Sequence, residues 1–111
     1  MTCIKATLRG KSFAIPAASL MAVLDGVSPA PVPFAPQGIL GLIRYEDEMT
    51  AVYDTFGQQQ PPARLLLIVN EAQRMIACTA DTVEGEISLS EDDVVDLKNE
   101  DSAICGELIL L

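Results

Sequence analysis

The side chains able to do chemistry in this chain are mostly carboxylates: sixteen Asp and Glu, against three cysteines and no histidine. Without histidine, the commonest general base and metal ligand is missing. Paired carboxylates can do acid–base work or hold a hard cation. Here, however, Glu91-Asp92-Asp93 and Glu100-Asp101 read as solvated faces rather than as a catalytic dyad. A calcium loop needs ligands at alternate positions about a central Gly, and the stretch from Asp92 to Asp101 lacks that pattern. The serines stand outside any G-x-S-x-G setting and have no partner base. Gly38 and Gly41 lie on the approach to a strand, with neither a following Lys-Ser nor a G-x-G-x-x-G pattern. Cys3, Cys78 and Cys105 are odd in number, far apart and without a C-x-x-C pair, and each has apolar neighbours. They read as reduced core thiols rather than as a zinc site or a disulfide framework. The expectation is a non-enzymatic chain with no cofactor and no metal; a small β enzyme built on carboxylates is the remaining catalytic reading.

Charge narrows the partners. The net charge is −9, and residues 1–64 balance five cations against five anions, so the excess lies in residues 65–111, with two cations against eleven anions. Such a surface repels phosphate backbones and anionic bilayers, because affinity for both rests on cations. A basic protein partner would be steered towards it. The longest unbroken aliphatic run, residues 65–69, is too short to span a bilayer. Lys5, Arg9 and Lys11 interrupt the first residues before any signal-like apolar region forms. A cytoplasmic protein with no nucleic acid and no direct membrane insertion is expected.

The elements that would position these groups are short strands separated by turn residues. Residues 3–8 and 12–15 read as strands flanking Arg9-Gly10-Lys11. Pro16 opens a brief helical turn through residues 17–19, and residues 20–24 are extended up to the turn pair Asp25-Gly26. The prolines at 29, 31, 33 and 36 remove amide donors, so this stretch is a stiff crossover rather than a central strand. A strand over residues 38–45 is followed by a polar tip, Glu46-Asp47-Glu48, and a return over 49–54. The polar loop near 57–63 is the expected internal boundary within a single 1–111 domain. Residues 64–70 form a nearly continuous aliphatic strand, the pattern of a strand covered on both faces. Further strands are expected at 75–80, 85–89 and 103–111, with a short Ser90-capped helix over 91–97. Many short strands with few helical pieces argue for an all-β barrel or paired barrels.

An ordered series covering nearly the whole chain resembles the CheW-like domain family of bacterial chemotaxis coupling proteins. Phe13-Ala14-Ile15-Pro16 and Leu20-Met21-Ala22-Val23 are similar to the family's opening. The run from Pro33 through Gly38-Ile39-Leu40-Gly41-Leu42-Ile43 resembles its Pro-to-Gly-Val-Ile segment. Met49-Thr50-Ala51-Val52-Tyr53-Asp54, followed by Phe56-Gly57, resembles the x-x-P-V-x-D strand, with Ala51 in place of the usual Pro. Residues 65–69, Ala80-Asp81-Thr82-Val83 and residues 85–89 resemble the succeeding strands.

The resemblance implies two small SH3-like β-barrels packed together, with short helical turns, and a scaffolding adaptor without enzymatic activity. One surface would receive the cytoplasmic tip of a chemoreceptor, in a groove carried by Leu20, Val23, Ile39, Gly41 and Ile43; each could instead be core, except Gly41, whose place in a strand suggests a close backbone approach or a bulge. Another surface would meet the regulatory domain of a CheA-type histidine kinase. The hairpin Arg44-Tyr45-Glu46-Asp47 departs from the family's Asn-Leu-Arg-Gly, so Arg44, Glu46 and Asp47 are the expected partner-specificity residues, with Glu46 reversing a common cation. The closing hairpin is shortened relative to the family, which would leave a C-terminal strand edge able to pair with a second copy. Both departures also fit a decoy that engages one array partner and inhibits.

Overall fold

The computed structural model describes residues 1–71, 73–90 and 109–110. The β1–β2 hairpin begins the chain: β1 (Thr2–Leu8) and β2 (Lys11–Pro16) pair antiparallel about a two-residue turn, Arg9-Gly10, with φ of 50° and 81°. Positive φ at both central residues is the turn whose twist matches paired strands; Gly10 adopts it freely, whereas Arg9 does so under strain. Pro16 ends β2, and a single 3-10 turn, Ala17–Ser19, leads into β3 (Leu20–Asp25). The proline-rich connector follows. Then β4 (Ile39–Tyr45), β5 (Glu48–Tyr53), β6 (Leu65–Glu71) and β7 (Arg74–Ala80) build one sheet, before β8 (Thr82–Ser88) and β9 (Ile109–Leu110) return to the first.

Among the described residues the sheet orders are β8-β1-β2-β9 and β3-β6-β7-β5-β4. The expected all-β architecture in two units is therefore present. The loop near 57–63 joins β5 to β6 within the five-stranded sheet. The chain changes sheets at the turn after Pro16 and at Asp81. A polar, proline-containing loop marks a surface connection, but it carries no information on which sheet its flanking strands join.

Register explains the aliphatic run. Leu65, Leu67 and Val69 face a core shared with Ala6, Leu8, Phe13 and Ile15 of the first sheet, and with Ile76, Cys78 and Ala80 of β7. Leu66 and Ile68 point the other way, into a second core with Ile43, Val52 and Ala77. With a side-chain period of two, every residue of the strand must be apolar to fill both. Ala22 and Leu24 of β3 reach that second core too, as do Leu40 and Tyr45 of β4. The five-stranded sheet thus curls until its two edge strands share one interior. Burying each Leu or Ile of this wall contributes about 1.5–3 kcal/mol.

One element differs from the sequence pattern. β8 starts at Thr82, ahead of the expected 85, although its side chains are almost all exposed. Its backbone pairs with β1 from Thr2↔Ser88 to Thr7↔Thr82, with a register shift between Lys5 and Ala6. Cross-strand hydrogen bonds, supported by a Lys5–Glu84 ion pair at 3.3 Å, override weak apolar alternation. The expected helix over 91–97, the acidic pairs there, Cys105 and most of the expected 103–111 strand lie outside the described residues. Of the last, β9 is described and pairs antiparallel with β2 through Phe13↔Leu110 and Ala14↔Ile109.

The connector is irregular, as its prolines require, and it is fastened to β4 at one point. Ala30 N donates to Leu42 O at 2.8 Å, and Leu42 N donates back to Ala30 O at 2.9 Å. Gly41 makes this approach possible. Its φ is 153°, and a Cβ there would lie 2.9 Å from Pro29 Cβ and would collide with the Ala30 carbonyl. Gly41→Ala is therefore expected to push the connector off β4 and destabilise the chain by about 2–3 kcal/mol, the scale of overpacking a tight site. Urea unfolding measures this, and a loss below about 0.5 kcal/mol, the level of a neutral surface change, would contradict the close approach.

Candidate functional site

The five groove residues do not share one environment. A register shift between Leu20 and Ala22 places Leu20 opposite Val69 and Val23 opposite Leu67. Directly paired residues lie on one face, so Leu20 and Val23 project to the side of the first core, on β3, an edge strand of its sheet among the described residues. Leu20 is half-buried against that core, while Val23 is 44% exposed beside Met21 at 48%. Ile39, opposite Tyr53, takes the same side from β4 and is half-buried. Gly41 and Ile43 are instead covered by the chain itself, Gly41 by the Pro29-Ala30 backbone and Ile43 by the second core. Of the five, the most exposed apolar side chain is Val23 on β3.

The hairpin residues are placed differently. Arg44, Glu46 and Asp47 are all exposed at the β4–β5 tip, as are Glu48 and Met49. Glu46 and Asp47 have φ of 47° and 64°. A turn with two positive φ values normally takes Asn-Gly or Asp-Gly, so two non-glycine residues here hold a strained backbone. With Arg44 paired across the ladder to Met49, the tip carries three adjacent carboxylates and one cation. It would attract a basic surface and repel an acidic one.

A third feature has weak sequence signals: a lone carboxylate inside an apolar strand end, and an Arg in a turn that prefers Asn. Asp54 follows β5 and is fully buried. Arg9 Nη1 donates to Asp54 Oδ1 and Nη2 to Oδ2, both at 2.8 Å. The amides of Phe56 and Gln58 donate to Oδ2 at 3.0 and 3.1 Å. This bidentate fork joins the β1–β2 turn of one sheet to the end of β5 in the other. The strained Arg9 backbone is held by its own amide, which donates to Asp81 Oδ2 at 2.8 Å. Phe56 lies beside the guanidinium, 5.9 Å from ring centroid to Cζ, and packs edge-on against Phe13. Next to it, Thr55 Oγ1 donates to Thr79 O, so the polar groups buried at this junction find partners.

The electrostatics follow from that geometry. Burial alone would push the Asp54 carboxyl up, but the Arg9 hydrogen bonds, the Gln58 and Phe56 amides and the Arg9 charge outweigh it and hold the group below its ordinary value. The hydrogen bond to Asp54 likewise raises Arg9 above its usual value, against a smaller opposing effect of burial. Cys3, fully buried, is shifted up by desolvation, with the N-terminal ammonium opposing, which makes it a poor nucleophile. Among the described residues, no three His, Cys, Asp or Glu side chains converge as metal ligands do, and no helix is long and apolar enough to cross a membrane.

Two sheets sharing one aliphatic wall, a glycine-dependent connector and an exposed hairpin are thus ordered along the chain. A family model, the CheW-like domain, matches residues 2–109. This chain belongs to the CheW-like domain family. The crystal structure of scaffolding protein TtCheW from Thermoanaerobacter tengcongensis is similar to this CheW-like chain, with a TM-score of 0.74 over 98% of this chain and 86% of that one. At 16% identity the likeness is one of fold, and it agrees with the all-β, SH3-like architecture. No curated protein matches the chain.

Because the folded-state carboxyl of Asp54 is depressed, its contribution to stability is complete above the unfolded value of about 3.9 and is lost as the pH falls through the lower, folded one. Asp54→Asn is expected to destabilise the chain at neutral pH by about 2–3 kcal/mol, since the Arg9 side chain it leaves behind is partly solvated. The deficit relative to the unmutated chain should shrink below about pH 4. Thermal unfolding at pH 7 and pH 3 checks both parts.

Proposed function

We propose that this CheW-like chain is a non-catalytic, cytoplasmic signalling adaptor that couples chemoreceptors to a CheA-type histidine kinase. The match of the CheW-like family model over residues 2–109 carries the reading, and the TtCheW structure with the same fold is that of a scaffolding protein. In this mechanism the receptor's cytoplasmic tip docks along the β3 side, on Leu20, Val23 and Ile39, while Gly41 and Ile43 are covered by the chain itself. Apolar burial at Val23 and its neighbours supplies affinity, and the rim charges select the partner. The β4–β5 hairpin with Arg44, Glu46 and Asp47 faces the regulatory domain of the kinase, and its carboxylates favour a basic complementary patch. Receptor state would be passed by geometry rather than by chemistry.

A second reading is favoured by the exposed Glu46, which stands where the family resemblance expects a cation. A chain that repels one standard partner there would occupy the array without coupling it. Titration into a reconstituted receptor–kinase array separates the two, because a coupler raises kinase activity and a decoy lowers it.

For the leading reading, Val23→Asp should weaken binding to a receptor cytoplasmic fragment at least tenfold, because it sets an unpaired charge into an apolar contact. Kinase regulatory-domain binding should be unchanged by that substitution and altered by Glu46→Arg. Capture of neither partner by the unmutated chain, where a standard coupling protein captures both, would sink the proposal.

A further inference from the structure

The bonds of Arg9 hold the loop that touches Gly38, the residue before Ile39 of the proposed receptor-facing side. With Oδ2 of Asp54 accepting from the Phe56 and Gln58 amides, the carboxylate draws residues 54–58 into a tight turn, closed by Gly57 N donating to Asp54 O at 2.9 Å. That turn in turn fixes Gly38. The Asp54 amide donates to Gly38 O at 2.7 Å, and Gly38 N donates to Gln59 Oε1 at 3.3 Å. A Cβ on Gly38 would stand 3.4 Å from Gly57 Cα, so the two backbones are in direct contact. Gly38 immediately precedes Ile39, the first residue of β4. A continuous chain of bonds therefore runs from the first sheet to the start of β4: Arg9, Asp54, Gly38, Ile39.

We infer that Arg9 is a positioning residue: by clamping Asp54 from the other sheet it orders residues 54–59 and sets where β4 begins, and so where Ile39 sits. A planar fork suits this task. It spans both carboxylate oxygens at once and leaves Oδ2 able to accept the two loop amides, whereas a lysine ammonium is a single point charge without that geometry. The strained φ of Arg9 belongs to the same device, since the Asp81 bond holds the turn while the side chain reaches across. The consequence for receptor docking rests on the adaptor reading above, but the ordering of the loop is a property of the free chain.

Amide hydrogen exchange on the full chain tests it, with Arg9→Gln, Arg9→Lys and, as an independent break in the same bonds, Asp54→Asn. The amides of Asp54, Phe56 and Gln58 should exchange faster in all three, by at least tenfold more than Leu67 and Ile68 in β6, whose amides follow the global loss of stability. Unchanged loop exchange, or acceleration in β6 equal to that in the loop, would overturn the positioning role. Binding of the receptor fragment should then fall at least fivefold in Arg9→Gln, with kinase-domain binding retained. Loop-specific acceleration with unchanged receptor affinity would overturn the link to docking. Failure of the unmutated chain to bind would count against the adaptor reading and leave the exchange result standing.

Discussion

A carboxylate buried at the meeting point of two sheets constrains this molecule more than any other single group. Asp54 is shut away from water at the end of β5, and an isolated charge there would be intolerable. Arg9 supplies the compensation from the opposite sheet, and the loop amides supply the rest. Both sheets must therefore be folded and correctly juxtaposed before the charge is satisfied. A buried pair of this kind adds little net stability compared with apolar packing. Its value here is geometric, because it admits one relative placement of the β1–β2 turn, the 54–58 turn and the start of β4.

Apolar packing is the larger energetic contribution and is centred on β6. That strand has no solvent face along residues 65–69, since one set of side chains meets the first sheet and the other meets β4 and β5. The arrangement makes two small cores out of one chain too short to afford two independent ones. It also leaves the outer strands lightly covered. The edge of β3 shows Met21 and Val23, and the outer side of β8 is lined by Glu84 and Glu86. Charged side chains on β8 discourage strand addition, whereas the apolar edge of β3 is suited to a partner.

The two candidate surfaces are built on different principles. The β3 side is an apolar edge backed by a core. The β4–β5 tip is a strained turn bearing carboxylates in exposed positions. On the proposed reading, affinity comes from the first and discrimination from the second. Gly41 and Ile43 are both covered by the chain itself, Gly41 by the Pro29-Ala30 backbone and Ile43 by the second core.

Local pattern determined a good deal. Glycines and prolines marked the ends of β1, β2 and β3 and the start of β4, because backbone restrictions at Gly and Pro act wherever those residues fall in the fold. The unbroken aliphatic run announced a strand covered on both faces, and the ordered motif series announced the family. Tertiary structure alone decided the rest. That the 57–63 loop joins two strands of one sheet, that β8 starts at Thr82, and that Leu20 and Val23 share a face after a bulge all depend on pairing between distant strands. The partnership of Arg9 with Asp54 is the clearest case. Forty-five residues separate them, and no periodicity links a cation in one turn to a carboxylate in another until the two sheets have closed on their shared core.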